Sequence, residues 1–239
     1  MKLDKLLQSQ GFGSRKHCQK LIVQGHVHVN GELCVNPNHD VATSVLADTQ
    51  FQVFGELFQY RERVYIALNK PAAYECSHQP QYHHSVFDLL PDVLCQRGVQ
   101  CVGRLDQDTT GLLLLTDDGQ FLQRLTHPRQ HIGKTYVVQT LDDIDDDALQ
   151  QLSEGVQLRN EQGTFAASDV QRMNERQFAM TIHQGIYHQV KRMVASVGHK
   201  VVQLHRRQIG HLVLDDLALS PSEWCYLGDE QYQAYMRKA

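Results

Sequence analysis

Residues 99–119 constrain the fold more than any other part of this 239-residue chain. A strand-like lead-in, Val99 to Val102, gives way to the polar run Gly103-Arg104-Leu105-Asp106-Gln107-Asp108-Thr109-Thr110-Gly111. Four consecutive leucines, Leu112 to Leu115, follow and end at Thr116-Asp117-Asp118-Gly119. A short apolar run bounded by turn residues reads as a strand. The polar run is then a tight loop at strand ends, where charged side chains stand on a rigid base and still reach solvent. By spacing alone, Asp108 and Thr109 can equally be residues that cap backbone amides.

The pattern around this run is mixed. Strands are expected at 64–68, 100–102, 112–115, 135–141, 178–182 and 201–204, and helices at 119–125, 145–154, 187–197 and 230–236. Apolar or alternating strands with interspersed helices fit an α+β domain with a mainly antiparallel sheet better than a regular βαβ succession.

The first forty residues form a separate pattern. Leu3, Leu6 and Leu7 lie at helical spacing, Gly11 and Gly13 interrupt it, and Ser14 stands at an N-cap position before a second helix that Gly25 ends. The segment from Val27 to Val35 alternates around Asn30-Gly31, a strong hairpin signal. Arg15, Lys16 and Lys20 fall on the polar side of the second helix, as an RNA-backbone binder requires. This helix-helix-hairpin resembles the S4 RNA-binding domain over residues 1–45. The matches are Leu3-Asp4-Lys5-Leu6-Leu7, Gly13-Ser14-Arg15-Lys16, Leu21-Ile22, Gly25 and Val29-Asn30-Gly31. Cys18 and Gln19 replace that family's usual small residues. The expected division is 1–60 for this domain with its linker and 61–239 for the larger domain.

The net charge of −4 argues weakly against nucleic acid, but its distribution reverses that. Acid gathers in Asp142, Asp143, Asp145, Asp146 and Asp147. From Arg176 to Leu214 there is no Asp or Glu, while Arg176, Lys191, Arg192, Lys200, Arg206 and Arg207 are all present. Such a stripe suits a phosphate-facing surface or a solvated helix face. Six cysteines without a C-x-x-C pair fit reduced thiols, and fourteen histidines lack a metal-ligand frame. No metal is expected. No apolar run is long enough to span a bilayer, and no apolar signal region follows Met1-Lys2-Leu3-Asp4, so a cytoplasmic protein without a membrane role is expected.

Gly103-Arg104-Leu105-Asp106, continued by Thr109-Thr110-Gly111-Leu112-Leu113-Leu114-Leu115-Thr116-Asp117-Asp118-Gly119, resembles the signature of the RsuA-type pseudouridine synthases. Further matches follow in the family's order. They are Arg124-Leu125, His127-Pro128-Arg129, Lys134-Thr135-Tyr136, the run from Gly185 to Met193, Gly198-His199, Leu204-His205-Arg206 and Ile209-Gly210. The resemblance implies an enzyme that breaks a C–N glycosidic bond, turns the uracil and forms a C–C bond. That exchange has no net redox change, and the chain has neither a dinucleotide fingerprint nor a phosphate loop. No cofactor is expected.

The same resemblance implies site roles. Asp106 is the catalytic carboxylate. Lys191 is its cationic partner, with Arg192 the adjacent alternative, and neighbours on a helix point about 100° apart. Tyr136 replaces the stacking lost by a flipped-out uridine. Arg104 engages phosphate or holds the gap, and Arg192, Arg15, Lys16 and Lys20 contact RNA. Gly133, Gln107 and His127 depart from the family's usual residues and bear on target recognition. The Thr110 and Asp117 positions look closer to the small-subunit ribosomal RNA enzymes than to their large-subunit relatives. Small-subunit RNA or its assembly intermediate is therefore the expected partner of a monomeric enzyme. Large-subunit RNA is the alternative substrate. A metal-dependent RNA hydrolase using Asp106, Asp108, Asp117 and Asp118 and a non-catalytic RNA-binding or assembly factor are the competing classes.

Overall fold

Leucine spacing sets the first helix, α1 (Leu3–Ser9), and Ser14 starts the second, α2 (Arg15–Val23), in a computed structural model that describes residues 1–236. Ser14 Oγ accepts the His17 N–H at 3.3 Å, satisfying one of the free amides of the first turn. The strands β1 (Val27–Val29), β2 (Glu32–Leu33), β3 (Gln50–Val53) and β4 (Glu56–Gln59) form one antiparallel sheet in the order β2-β1-β3-β4. The first hairpin turns at Asn30-Gly31, as the sequence indicates. The second turns at Phe54-Gly55, both at positive φ (53° and 84°). The sequence hides this turn, because a phenylalanine rarely adopts that conformation.

Asp4 is fully buried in this unit and accepts hydrogen bonds from Arg15 Nε at 2.7 Å and Gln19 Nε2 at 2.8 Å. Burial pushes the Asp4 carboxyl up, but these two partners outweigh it and hold the group below its ordinary value. Gln19 thus bonds across to α1 where a small residue is usual, and Cys18 packs fully buried beside it.

Two compact units result: Met1–Val64 with Leu90–Gln100, and Tyr65–Leu89 with Cys101–Ala239. The boundary expected near residue 60 falls at Val64, and Leu90–Gln100 joins the first unit. Arg97 fastens it there, donating to the Gln10 side chain and the Arg61 carbonyl, both at 3.0 Å. A side chain reaching back across 87 positions leaves no local pattern in sequence.

The second unit contains β5 (Tyr65–Lys70), β6 (Thr110–Thr116), α3 (Gly119–Thr126), β7 (Lys134–Thr140), α4 (Asp146–Glu154), β8 (Ser168–Asn174), β9 (Gln177–Ile182), α5 (Gln189–Ser196), β10 (Val201–Ile209), β11 (Trp224–Tyr226) and α6 (Asp229–Met236). Its main sheet runs β8-β9-β7-β10-β6-β5-β11. Neighbours are antiparallel except β10 and β6, which pair in parallel. The leucine run is the buried heart of β6, with Leu112, Leu113, Leu114 and Leu115 all fully enclosed. The fold is α+β with mainly antiparallel sheets, and among the described residues no helix is long and apolar enough to cross a membrane.

Several elements differ from expectation, three of them in the second unit's framework. β10 extends to Ile209, past the expected end at Leu204, because His205, Arg206, Arg207 and Gln208 are polar yet remain in the ladder. α5 begins at Gln189 rather than Tyr187, since His188 adopts a left-handed backbone (φ 51°) that a helix cannot continue through. β8 was not expected, and its residues are largely exposed.

Candidate active site

The strand register assembles the site. Lys70 on β5 pairs with Gly111 on β6, Gly111 with Arg206 on β10, and Arg206 with Tyr136 on β7. Four adjacent strands thus carry Lys70, Gly111, Arg206 and Tyr136 in one row. Gly111 sits at φ +104°, and a Cβ there would lie 2.3 Å from the Arg206 carbonyl oxygen. Only glycine permits that close parallel approach.

Lys70 is fully buried and grips the loop that the sequence singled out. Its Nζ donates to the carbonyls of Pro71 at 3.0 Å, Gln107 at 3.2 Å and Thr109 at 2.9 Å. The Ala73 N–H donates to the Gln107 carbonyl at 2.8 Å, and the Thr109 N–H to that of Asp106 at 3.1 Å. Burial lowers the Lys70 pKa, opposed by the charges of Cys76, Asp108 and Asp106. Three carbonyls around one ammonium fix the backbone on either side of Asp108.

Asp106 meets two partners from one end of α5. Lys191 Nζ lies 2.9 Å from its Oδ2, and His188 Nε2 lies 3.3 Å from Oδ1. Lys191 also reaches Asp108 Oδ1 at 2.7 Å, bridging both carboxylates. Burial disfavours the charged Lys191, but the hydrogen bonds to Asp108 and Asp106 outweigh it and raise its pKa. Asp108 is likewise pushed up by burial and pulled down further by Lys191. The lysine is therefore a fixed cation at neutral pH. Buried Gln189 orders the turn ahead of it, accepting the Ile186 N–H at 3.3 Å.

Tyr136 is 7% exposed, and its hydroxyl accepts from Arg206 Nη1 at 3.5 Å. Arg206 is 2% exposed and donates from Nε to the Leu112 carbonyl at 2.7 Å. Its Nη2 is buried without a hydrogen-bond partner among the described residues. Lys134, at the start of the same strand as Tyr136, is lowered to about 8 by burial and by the charge of Arg206. These groups share a cleft of about 1090 Å³ with Arg104, Asp106, Asp108 and Lys191. That volume admits a nucleotide. The wall includes exposed Tyr187, whose ring stacks on His188 with centroids 3.8 Å apart.

The structure thus brings together Asp106, Tyr136, Lys191 and Arg104. It does not add Arg192, whose guanidinium is held by Glu161 Oε1 at 2.9 Å and by the carbonyls of Tyr187 and Arg159. Arg15 is drawn to Asp4, while Lys16 and Lys20 are exposed on α2. The basic stripe is largely neutralised in place: Arg176 pairs with Asp143, Arg192 with Glu161, Arg207 with Asp215, and Lys191 with Asp106 and Asp108. The four-aspartate metal arrangement is disfavoured by Asp118. That carboxylate caps α3 through the Gln120 and Phe121 amides and accepts the Tyr65 hydroxyl at 2.8 Å.

Sequence reasoning missed Lys70 and gave His188 no chemical step. A lysine ending a strand that opens Tyr65-Ile66-Ala67-Leu68, just before Pro71, was the available signal for Lys70. His188 stands in the Gly185–Met193 run, which places it and Gln189 around the site, but its contact with Asp106 spans 82 positions and no local pattern fixes it.

A family model described as RNA pseudouridylate synthase matches residues 64–196, and one described as S4 domain matches residues 1–44. Among curated proteins, the chain is 40% identical over 233 residues to the ribosomal small subunit pseudouridine synthase A of Vibrio vulnificus (strain CMCP6), covering 97% of each. It is 39% identical over 237 residues to the protein of that name from Escherichia coli (strain K12), covering 97% of this chain and 98% of that one. A crystal structure of a pseudouridylate synthase superposes with a TM-score of 0.68 at 33% identity, covering 98% of this chain and 99% of the other.

Proposed function

The chain belongs to the RNA pseudouridylate synthase family and carries an S4 domain, and from that premise we propose that it converts a uridine of small-subunit ribosomal RNA to pseudouridine with Asp106 as the reacting carboxylate. The observation that carries the assignment is the Asp106–Lys191 contact at 2.9 Å inside a nucleotide-sized cleft. The relatives named for the small subunit cover nearly the whole chain and support the choice of RNA.

The reaction replaces the C1′–N1 bond with a C1′–C5 bond. The proton leaving C5 is balanced by one gained at N1, so no redox partner is needed. The step requires an ionised carboxylate at the sugar or base, held in one orientation. Lys191 and His188, one against each carboxylate oxygen, hold that orientation.

The uridine enters unstacked, and the Tyr136 ring gives it an apolar face in place of its neighbours. Arg104, exposed at the cleft, meets the flanking phosphates. The Lys16 and Lys20 side chains of the S4 domain add affinity for the RNA backbone. The enzyme acts as a monomer in the cytoplasm and uses no cofactor.

The test is to incubate the protein, with chelator present, with unmodified small- and large-subunit RNA beside Asp106→Ala. Carbodiimide labelling and reverse transcription then locate pseudouridine. One new stop in small-subunit RNA, absent with the variant, is expected. A stop in large-subunit RNA overturns the substrate, and a stop that persists in Asp106→Ala overturns the carboxylate.

A further inference from the structure

Large apolar side chains left in water are ordinary when scattered singly over a surface. The two most exposed of them among the described residues are not scattered. Tyr82 is 86% and Tyr187 74% exposed, and both line the cleft that holds Asp106 and Tyr136. The chemistry above gives neither ring a role, yet the chain beside each is fastened.

Tyr82 stands on the loop between the paired segments Tyr74-Glu75 and His84-Ser85. The Glu75 carboxylate turns into that loop. Its Oε2 accepts the Gln81 N–H at 3.1 Å, and its Oε1 accepts those of Tyr82 at 3.0 Å and His83 at 3.1 Å. The Ser85 hydroxyl donates to the Ser77 carbonyl at 2.6 Å and ties the two ends of the loop together. One carboxylate on three successive amides fixes the backbone and leaves the phenol ring in water. The Tyr187 ring stacks on His188, with centroids 3.8 Å apart and 19° between the planes. The Tyr187 carbonyl accepts from Arg192 Nη1 at 3.3 Å, so the guanidinium that Glu161 holds braces this second ring.

We propose that Tyr82 and Tyr187 are stacking platforms for the bases that adjoin the target uridine, and that the substrate is therefore a uridine inside an unpaired segment of RNA. The proposal rests on RNA being the substrate. A tyrosine has only two side-chain torsions to fix, so it offers a large flat face at low entropic cost. Every base has a π-face, so such a platform takes any neighbour. Withdrawing the uridine from its stack uncovers one face of each adjoining base, and a ring in the cleft wall covers it again. Because both rings line the cleft itself, the neighbours must follow the uridine into it. A paired strand prevents that, whereas an unpaired one splays its bases onto protein rings. The cleft, at about 1090 Å³, lies at the upper end of the roughly 300–1,000 Å³ usual for one small ligand, which leaves room beside the uridine.

The test uses the full-length protein and a short uridine-centred RNA strand with 5-iodouridine on one side of the uridine or the other, free or annealed to its complement. Irradiation joins an iodouracil to an aromatic ring stacked on it, and digestion with mass spectrometry locates the joined residue. The free strands should couple to Tyr82 and Tyr187, and the annealed strands several-fold less. In kinetics on small-subunit RNA, Tyr82→Ala should raise KM by about fivefold or more, the scale of one lost base–aromatic stack. Tyr82→Phe, which keeps the ring, should recover the wild-type KM. Coupling only to other residues, or no coupling, overturns the platforms, and coupling to one tyrosine alone removes the other. Equal coupling of the annealed strands overturns the unpaired substrate. A protein that makes no pseudouridine refutes the functional reading, and the photocoupling still decides whether the two rings take bases.

Discussion

Lys191 bonds to both Asp106 and Asp108, so its removal leaves two carboxylates facing each other without a cation. For Lys191→Met, kcat should fall by about 10²–10³-fold, the scale of losing one preorganised electrostatic partner. RNA binding, measured by filter retention, should change only a few-fold if the exposed S4 lysines supply the backbone contacts as proposed. A large loss of binding with unchanged kcat would instead make Lys191 a phosphate contact. Lys134 carries a pH signature. The folded chain releases its proton at about 8, whereas the unfolded chain keeps it to the ordinary 10.5. The unfolded state therefore binds more protons between those values, and stability rises with pH across that window, by up to about 1.4 kcal/mol per unit. Urea unfolding at several pH values should show the slope in the wild type and its loss in Lys134→Met. Equal slopes would mean that Lys134 titrates normally.

The parallel pairing of β6 and β10 is the contact on which the site is built. Gly111→Ala sets a Cβ against the Arg206 carbonyl at a backbone angle unfavourable for alanine. It should destabilise the protein by about 2–3 kcal/mol in urea unfolding. An alanine variant of wild-type stability would show that the strands separate at no cost. Lys70, one strand over, holds the loop rather than the substrate. Lys70→Met should lower kcat by roughly tenfold or more through a loosened loop, with KM little altered. A change confined to KM would place the lysine on the RNA. The sequence announced β6 through its leucines and the loop through its polarity. It did not announce that β10 continues through Arg206, because polar residues facing a cleft break the alternation that identifies a strand.

For the molecule as a whole, the balance of charge changes once pairs are located. Four cations of the apparent basic stripe are neutralised by carboxylates, three of them more than 30 positions away and Asp215 eight from Arg207. Lys16 and Lys20 remain exposed on α2. Replacing both by Glu should raise KM for ribosomal RNA by about tenfold or more and make binding less steeply dependent on salt, by about one unit of slope per lost phosphate contact. Turnover at saturating RNA should hold. An unchanged salt slope would remove the S4 lysines from the RNA interface. Deleting residues 1–45 is a poorer test, because Leu90–Gln100 belongs to that unit and loses its packing with it.

The sequence by itself determined the kind of protein: an S4 helix-helix-hairpin, an α+β domain, and a loop whose aspartate stands before a leucine strand. Those features are local, set by spacing, capping and turn residues that act within a few positions of one another. Asp106, Lys191 and Tyr136 were legible because they sit in contiguous motifs. Tertiary structure alone decided that Lys70 grips the loop, that His188 shares Asp106, that Arg192 is diverted to Glu161, and that Cys76 accepts the Leu105 N–H. Each of those facts depends on strand register or on a side chain bridging 29 or more positions. Such contacts exist only once the backbone pairs and the solvent is excluded, and no short stretch of sequence encodes them.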